Sequence, residues 1–530
     1  MRSLDHLRRL ARRAAARAHD RQSGPPFTSR ADLEGWARTH LKRQRLVIVS
    51  NREPYSHLDE GGAVRWVRNA GGLTVALDAV ARAVGGVWVA HGSGSADRQT
   101  VDEKDHVGCP PGQPRYALRR LWLSPDDHER YYAGFSNSAL WPLCHIAYVR
   151  PRFERADWER YQDVNRRFAE AAIEEAGTGP ALVFVQDYHL ALAARFIKQR
   201  RPDLRVALFW HIPWPNAEVF RRLPWRAELL EGMLSYDLLA FHIHLHALNF
   251  LDSVADTLEA RVDRERQVVT RRGHRTWVRH YPMGVDVEEI SAMAEMPETL
   301  EGERRLRERL GLGEARLGLG VDRLDYTKGV PERLAGIERL FEKHPEWRGR
   351  FRFLQVGVPS RIELDEYRSV QQRAREGVAR INERFGSDGV PVVEMIEENL
   401  DFRELLPLFR AADLCAVTSL HDGMNLVAKE YVAASPDLEG ALLLSPFTGA
   451  ARELEGAWMV SPYDCEGLAD AFHDALTAAP EARRARMAAL REAAARRTIF
   501  DWAMDVLDAV ASIPAAPPVT SGAPARRRRH

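Results

Sequence analysis

The chain runs to 530 residues, 45% hydrophobic and 28% charged, with 76 Lys and Arg against 75 Asp and Glu for a formal net charge of +1. That length exceeds one ordinary core and implies two or three domains, of which two is the working number, and the balanced charge supplies no overall field for nucleic acid or an anionic membrane. No run approaches the roughly 18 apolar residues that span a bilayer, the start lacks a secretory apolar core, and Cys109, Cys144, Cys415 and Cys465 are too scattered for a zinc cluster or a disulfide framework. A cytoplasmic location is the expectation.

The opening MRSLDHLRRLARRAAARAHDRQSGPP is rich in Arg and Ala. It reads as a solvated helix or disordered arm ahead of a transit peptide or membrane-surface helix, because Asp5 and Asp20 interrupt its basic face. The closing PAAPPVTSGAPARRRRH reads as a flexible basic tail.

Between the ends, short apolar runs alternate with amphipathic stretches. RLVIVS (45–50), VWVAHG (87–92), ALVFVQ (181–186), RVALFWHI (205–212) and DLLAFH (237–242) predict buried strands, and 158–176 carries helical periodicity. After the charged stretch 291–312 a second array follows: strands ARLGLGVD (315–322), RFRFLQVGV (350–358), VPVVEMIE (390–397), LCAVTS (414–419) and ALLLSP (441–446), with helices over 363–385 and 425–434. Near-continuous apolar strands separated by helices imply an α/β fold with parallel sheets covered on both faces, whose ligand loops sit at the carboxyl ends of the strands.

Polar residues gather at those ends. In the first array they are Ser50-Asn51-Arg52, the Gly71-Gly72-Leu73 loop, Gln186-Asp187-Tyr188-His189 and His211-Ile212-Pro213. In the second they are Asp322 to Gly329 (DRLDYTKG) and His421 to Tyr431 (HDGMNLVAKEY). Arg323 and Lys328 flank the start of a helix near Gly329, where free N–H groups and the helix dipole favour an anion, so the pair predicts a pyrophosphate clamp. Asp422 and Glu430 stand eight positions apart, about two helical turns, and carboxylates accept vicinal hydroxyls; one can hold a sugar and the other a ribose.

Taken singly, an Arg after a strand is a solvated charge and an Asp before a helix is an N-cap. Their recurrence at successive strand ends favours a site. His211 earns a site role because Pro213 breaks its strand, whereas His189 reads as a core or loop histidine. Gly71-Gly72 alone reads as a turn, and Tyr132 and Trp141 as core aromatics.

Taken together, SNR, GGL, YYAGFSNSALWP, DYHL, HIPWP, VDRLDYTKG and DGMNLVAKEY resemble the trehalose-6-phosphate synthases of glycosyltransferase family 20, in that family's order from about Arg45 to about Asp464. The resemblance implies the GT-B architecture, two Rossmann-like doubly wound domains facing across a deep cleft. It implies transfer of glucose from a nucleotide-glucose, UDP-glucose first, to glucose 6-phosphate with retention, and no metal or other cofactor. By the same carry-over Arg323 and Lys328 hold the diphosphate, Glu430 the ribose, and Asp422 and His211 the donor glucose. Gly423, Met424, Asn425 and Leu426 line the donor side, the Gly71-Gly72 loop closes over it, and Asp187 lies at the sugar junction. Arg52 and Arg361 take the acceptor phosphate, with Tyr132 and Trp141 in the acceptor pocket. Asp187, His211, Arg323, Lys328 and Asp422 form the catalytic set.

The domain plan is a basic extension over 1–44, an acceptor domain over 45–285, a nucleotide-sugar domain over 286–484, helices over 485–513 packing back on the first domain, and a tail over 514–530. Small-molecule substrates are the only partners implied, and a homo-oligomer is compatible with the sequence. Three positions depart from the family pattern: His91 in VWVAHGSG where a tryptophan is usual, Gln186 where HDYHL is usual, and His421 before DGMN in place of Arg. The NREPY start is similar to glucosylglycerol-phosphate synthases, which makes glycerol 3-phosphate the alternative acceptor, and a catalytically inactive sugar-phosphate sensor is the non-enzymatic alternative. A nicotinamide oxidoreductase is disfavoured because Gly311-Leu312-Gly313 meets Arg316 at the third glycine position.

Overall fold

The computed structural model describes residues 29–41, 44–69, 72–387 and 389–514. The expectations for the first 28 residues, for Gly71 and for the tail beyond 514 fall outside the described residues. Among the described residues no helix is long and apolar enough to cross a membrane.

The fold is α/β, built on two doubly wound sheets. Seven parallel strands of the first lie in the order His274–His280, Leu238–Phe241, Arg205–Trp210, Ala181–Gln186, Arg45–Arg52, Val87–His91 and Tyr116–Leu121. Antiparallel strands Arg261–Asp263 and Val268–Arg271 extend one edge and His106–Cys109 the other. The second sheet is wholly parallel, in the order Val393–Ile396, Phe351–Val358, Arg316–Arg323, Leu414–Val417, Ala441–Leu444 and Trp458–Met459. Central strands are apolar over most of their length because helices cover both of their faces; Ala181–Gln186 is buried at every position.

Both sheets reverse direction partway across. Numbered by place in the chain, the second reads 3-2-1-4-5-6, and the parallel strands of the first follow the same scheme with one more at the end. The reversals fall between Arg45–Arg52 and Ala181–Gln186, and between Arg316–Arg323 and Leu414–Val417. Loops leaving two such neighbouring strands run to opposite faces, which opens a crevice at their carboxyl ends. Arg52 and Asp187 border one crevice, and Arg323 and the 418–426 loop border the other.

One face of the first sheet packs on an aromatic layer that includes Tyr131, Phe135, Trp158 and Tyr161. Its other face is covered by helices Arg30–His40, Gly72–Val84 and Ile499–Ser512. The last of these starts at a capping box in which Thr498 and Asp501 satisfy each other's free backbone N–H groups. It buries Trp502, Val506 and Leu507, with Trp502 5.0 Å from Phe209 and 5.8 Å from Phe184 between ring centres. Each buried aliphatic side chain here contributes roughly 1.5–3 kcal/mol. Trp36 of the first helix donates to Asp508 at 3.2 Å, so the two ends of the described chain meet on this face.

Candidate active site

The strand Arg316–Arg323 ends in Leu324 to Gly329 and passes into helix Val330–Lys343. Asp325 turns back on this loop, its Oδ1 accepting from the Thr327 N–H at 3.0 Å. Gly329 has φ +65°, and a Cβ there would lie 2.1 Å from the Thr418 carbonyl oxygen, so only glycine fits between the loop and the neighbouring strand end. The helix N-terminus is thereby held beside Lys328. The Lys328 ammonium donates to Asp422, which also accepts from Asn425 Nδ2 at 3.2 Å. Burial alone would raise the Asp422 carboxyl, but the Lys328 charge and its hydrogen bond hold it down to about 2.

Asn425 adopts φ +76° and caps helix Leu426–Ala433, its Oδ1 accepting from the Ala428 N–H at 3.2 Å. A Cβ on Gly423 would stand 2.0 Å from the His211 carbonyl oxygen, so the DGMN loop touches HIPWP backbone to backbone. Leu426 meets the GGL loop, where a Cβ on Gly72 would lie 2.8 Å from its Cδ1. Met424 is buried in the second core. Glu430 sits on the helix, partly buried and without a cation partner among the described residues, and burial raises its carboxyl to about 7.

That position yields a pH prediction. An acid whose pKa rises on folding costs stability as pH climbs from its ordinary 4.5 to about 7. The wild-type melting temperature therefore falls across this window by a share that Glu430→Gln removes. Melts of both proteins at pH 5 and pH 8 check it; identical pH slopes contradict it.

On the facing side, His128–Leu140 winds as a π-helix and continues into helix Trp141–His145. Tyr132 and Trp141 stand nine positions apart, about two and a half turns of an α-helix and hence on opposite faces. The wider i→i+5 winding brings both round to Arg361, whose guanidinium carbon lies 6.0 Å from the Tyr132 ring centre and 4.3 Å from that of Trp141. Arg323 approaches the same indole at 5.4 Å. Arg361 is buried; it donates to the Tyr367 hydroxyl and reaches Tyr188 Oη at 3.3 Å. Asp325, at zero exposure, lies 3.4 Å from Arg361 and 3.8 Å from Arg323.

Arg52 ends its strand exposed and without an acidic partner among the described residues, in register with His91, whose Nδ1 lies 3.2 Å from the Leu121 carbonyl oxygen. Burial would raise the Tyr132 phenol, but Arg361, then Arg52 and Arg323, draw it down to about 7. Behind Arg52, Glu53 and Asp97 grip the buried Arg120, both at 2.8 Å.

Asp187 joins the two sides. It has φ +70°, and its Oδ1 accepts from the N–H groups of Tyr188 at 2.9 Å and His211 at 3.1 Å. Burial nonetheless raises it to about 7. His211 is engaged at both ring nitrogens, with Nε2 3.0 Å from Gln186 Oε1 and Nδ1 3.3 Å from His242 Nε2, and burial keeps its imidazole neutral, down to about 3. His421 reaches across to the His145 carbonyl oxygen at 2.7 Å.

The family model for glycosyltransferase family 20 matches residues 44–512. The chain belongs to glycosyltransferase family 20. It is similar to trehalose-6-phosphate synthase of Mycolicibacterium gilvum, 40% identical over 480 residues that cover 88% of this chain and 93% of that one. Two solved structures resemble it: an E. coli trehalose-6-phosphate protein bound with UDP-2-fluoro glucose, and an α,α-trehalose-phosphate synthase (UDP-forming) from Burkholderia xenovorans in complex with glucose-6-phosphate. The first has a TM-score of 0.79 at 32% identity and covers 89% of this chain and all of the other. The second has a TM-score of 0.79 at 31% identity, covering 88% and 99%. The protein is a glycosyltransferase.

In this member the motif residues from both sheets gather at the two crevices. Asp325, Tyr367, His242 and His145 join the site without having been singled out as site residues by the motifs. Asp325 carried a signal in its place between Arg323 and Lys328; Tyr367 and His145 carried none.

Proposed function

We propose that this glycosyltransferase moves glucose from a nucleotide-glucose, UDP-glucose, to glucose 6-phosphate with retention, giving trehalose 6-phosphate. The observation that carries the reading is the Asp325 carboxylate between Arg323 and Arg361, 3.8 and 3.4 Å away, which makes two anion-binding groups adjoin. On this reading a diphosphate meets Arg323, Lys328 and the helix N-terminus, while a phosphate ester meets Arg52 and Arg361 between Tyr132 and Trp141. The buried N–H groups of Trp141 Nε1 and Arg361 Nε, unpartnered among the described residues, support an oxygen-rich ligand there, since an unfilled buried donor costs roughly 1–3 kcal/mol. The ligands of the E. coli and Burkholderia structures are of these two kinds.

Glu430 takes the ribose, Asp422 the donor glucose, and Gly423 to Leu426 with Gly72 surround it. Residues 45–285 then present the acceptor and 286–484 the nucleotide sugar; of the 485–513 helices expected to return to the first unit, only Ile499–Ser512 does so, while Pro480–Ala495 packs Met487, Leu490 and Ala494 into the second core. His211 contributes through its fixed position, because a bond from its ring to sugar requires Gln186 or His242 to release a nitrogen. The Arg323 and Lys328 cations supply the charge at the diphosphate, which favours a reaction run without a metal.

Retention needs a covalent glycosyl-enzyme or attack on the face the leaving group vacates. Asp187 is raised by burial to about 7 while its Oδ1 accepts two backbone N–H bonds, and Asp422 is tied to Lys328, which weakens both as nucleophiles. This favours same-face attack: the anomeric C–O bond to phosphate breaks, the bond to the acceptor oxygen forms, and the acceptor proton passes to the departing phosphate. Arg323 and Lys328 stabilise the charge that grows on that phosphate.

A matrix of UDP-, GDP- and ADP-glucose against glucose 6-phosphate and glycerol 3-phosphate tests the reading. Trehalose 6-phosphate should form, fastest with UDP-glucose, and glycerol 3-phosphate should give little product. A preference for glycerol 3-phosphate, or no transfer from any donor, overturns it.

A further inference from the structure

The DYHL histidine is left without a role by the reading above. His189 follows Asp187 on a short 3₁₀ turn, Tyr188–Leu190, and its carbonyl oxygen accepts from Asn165 Nδ2 at 3.0 Å, which pins the backbone. The imidazole stacks on Tyr132, 5.7 Å between ring centres with planes 10° apart, and packs on Tyr188 at 3.9 Å. Its side chain is only 12% exposed. Nδ1 faces Asp187 Oδ2 at 4.0 Å, too far for a hydrogen bond, and Nε2 is buried with no partner among the described residues.

A core histidine satisfies its polar edge within the protein. His189 does not, and the groups around it are those of the acceptor pocket: Tyr132 against its face, Asp187 at Nδ1, and the charges of Arg361, Arg52 and Arg323 acting on the ring. Among the described residues, Trp141 Nε1, Arg361 Nε and His189 Nε2 are buried in this region without partners. Two belong to residues already assigned to the acceptor. An anion meeting the other two lies within the same cluster as the third.

We infer that His189 is a further acceptor-binding residue, whose Nε2 hydrogen-bonds the phosphate ester of the acceptor while Nδ1 stays turned to Asp187. The inference rests on the reading that a sugar phosphate occupies the pocket. It makes His189 a determinant of phosphate over hydroxyl, because the bond goes to the charged group.

Calorimetric titration of the full-length protein with glucose 6-phosphate, in the presence of UDP, tests it without requiring turnover. His189→Asn, whose amide takes the place of Nδ1, should bind about tenfold more weakly than wild type, the effect of losing one hydrogen bond to a charged group. His189→Gln, whose amide nitrogen takes the place of Nε2, should stay near wild type. UDP affinity should match in all three. Should His189→Asn fail to fold, His189→Leu carries the same expectation. Equal affinities in wild type and the Asn or Leu variant, equal losses in Asn and Gln, or no saturable binding by wild type each overturn the inference. Failure of the donor-by-acceptor matrix would instead remove the reaction while leaving this binding difference readable.

Discussion

Lys328→Ala should lower turnover about 10²–10³-fold, the scale seen when one preorganised group is removed from a developing charge. The loss should fall on kcat with UDP-glucose and leave the acceptor KM near wild type, because Lys328 meets the diphosphate alone. The variant also strands the buried Asp422 carboxylate, which Lys328 now holds at about 2. Its pKa should climb, and the protein should lose stability at neutral pH while keeping its secondary structure. Steady-state rates of UDP release, with a circular dichroism spectrum of each protein, decide the matter. Near-normal kcat in a folded variant would end the clamp.

Arg361→Lys should raise the KM for glucose 6-phosphate about 10- to 100-fold, with the KM for UDP-glucose little changed. Lysine keeps the charge beside Asp325 but loses the planar fork and the stacking on Trp141 at 4.3 Å. Keeping the charge matters, since removing it altogether would leave Asp325 buried with Arg323 alone. A variant whose KM moves for donor and acceptor alike would show that Arg361 supports the loop and does not bind the acceptor.

These two predictions differ in how far the sequence alone supports them. The Lys328 clamp is legible in residues 322–329: an apolar strand, two cations and a glycine at a helix start are local features. The strands 181–186 and 350–358 were legible for the same reason, being apolar runs of the length a covered parallel strand needs. The short strands at the two ends of the first sheet, His106–Cys109, Arg261–Asp263 and Val268–Arg271, were not, because they are partly solvated and their mixed residues carry no clear period. The helix Arg30–His40 lay hidden in what reads as a basic extension, since its apolar face is only Leu33, Trp36 and Ala37.

The surroundings of Arg361 take shape only in three dimensions. Nothing in YYAGFSNSALWP announces a π-helix, and on α-helical spacing Tyr132 and Trp141 would point apart. Asp325 reads as a loop residue until Arg361, thirty-six positions on, closes against it.

What residue order by itself determined is the alternation of strand and helix, the two parallel sheets, and the cation pair at a helix start, because each depends on neighbours a few positions apart. The tertiary structure decided which strand ends adjoin, and so which charges share a space. It turned Tyr132 and Trp141 to one side, set Asp325 between two guanidiniums, and left His189 with an unfilled nitrogen among them. Such convergence joins segments up to hundreds of residues apart, and its energy lies in burial and charge contacts that no local pattern records.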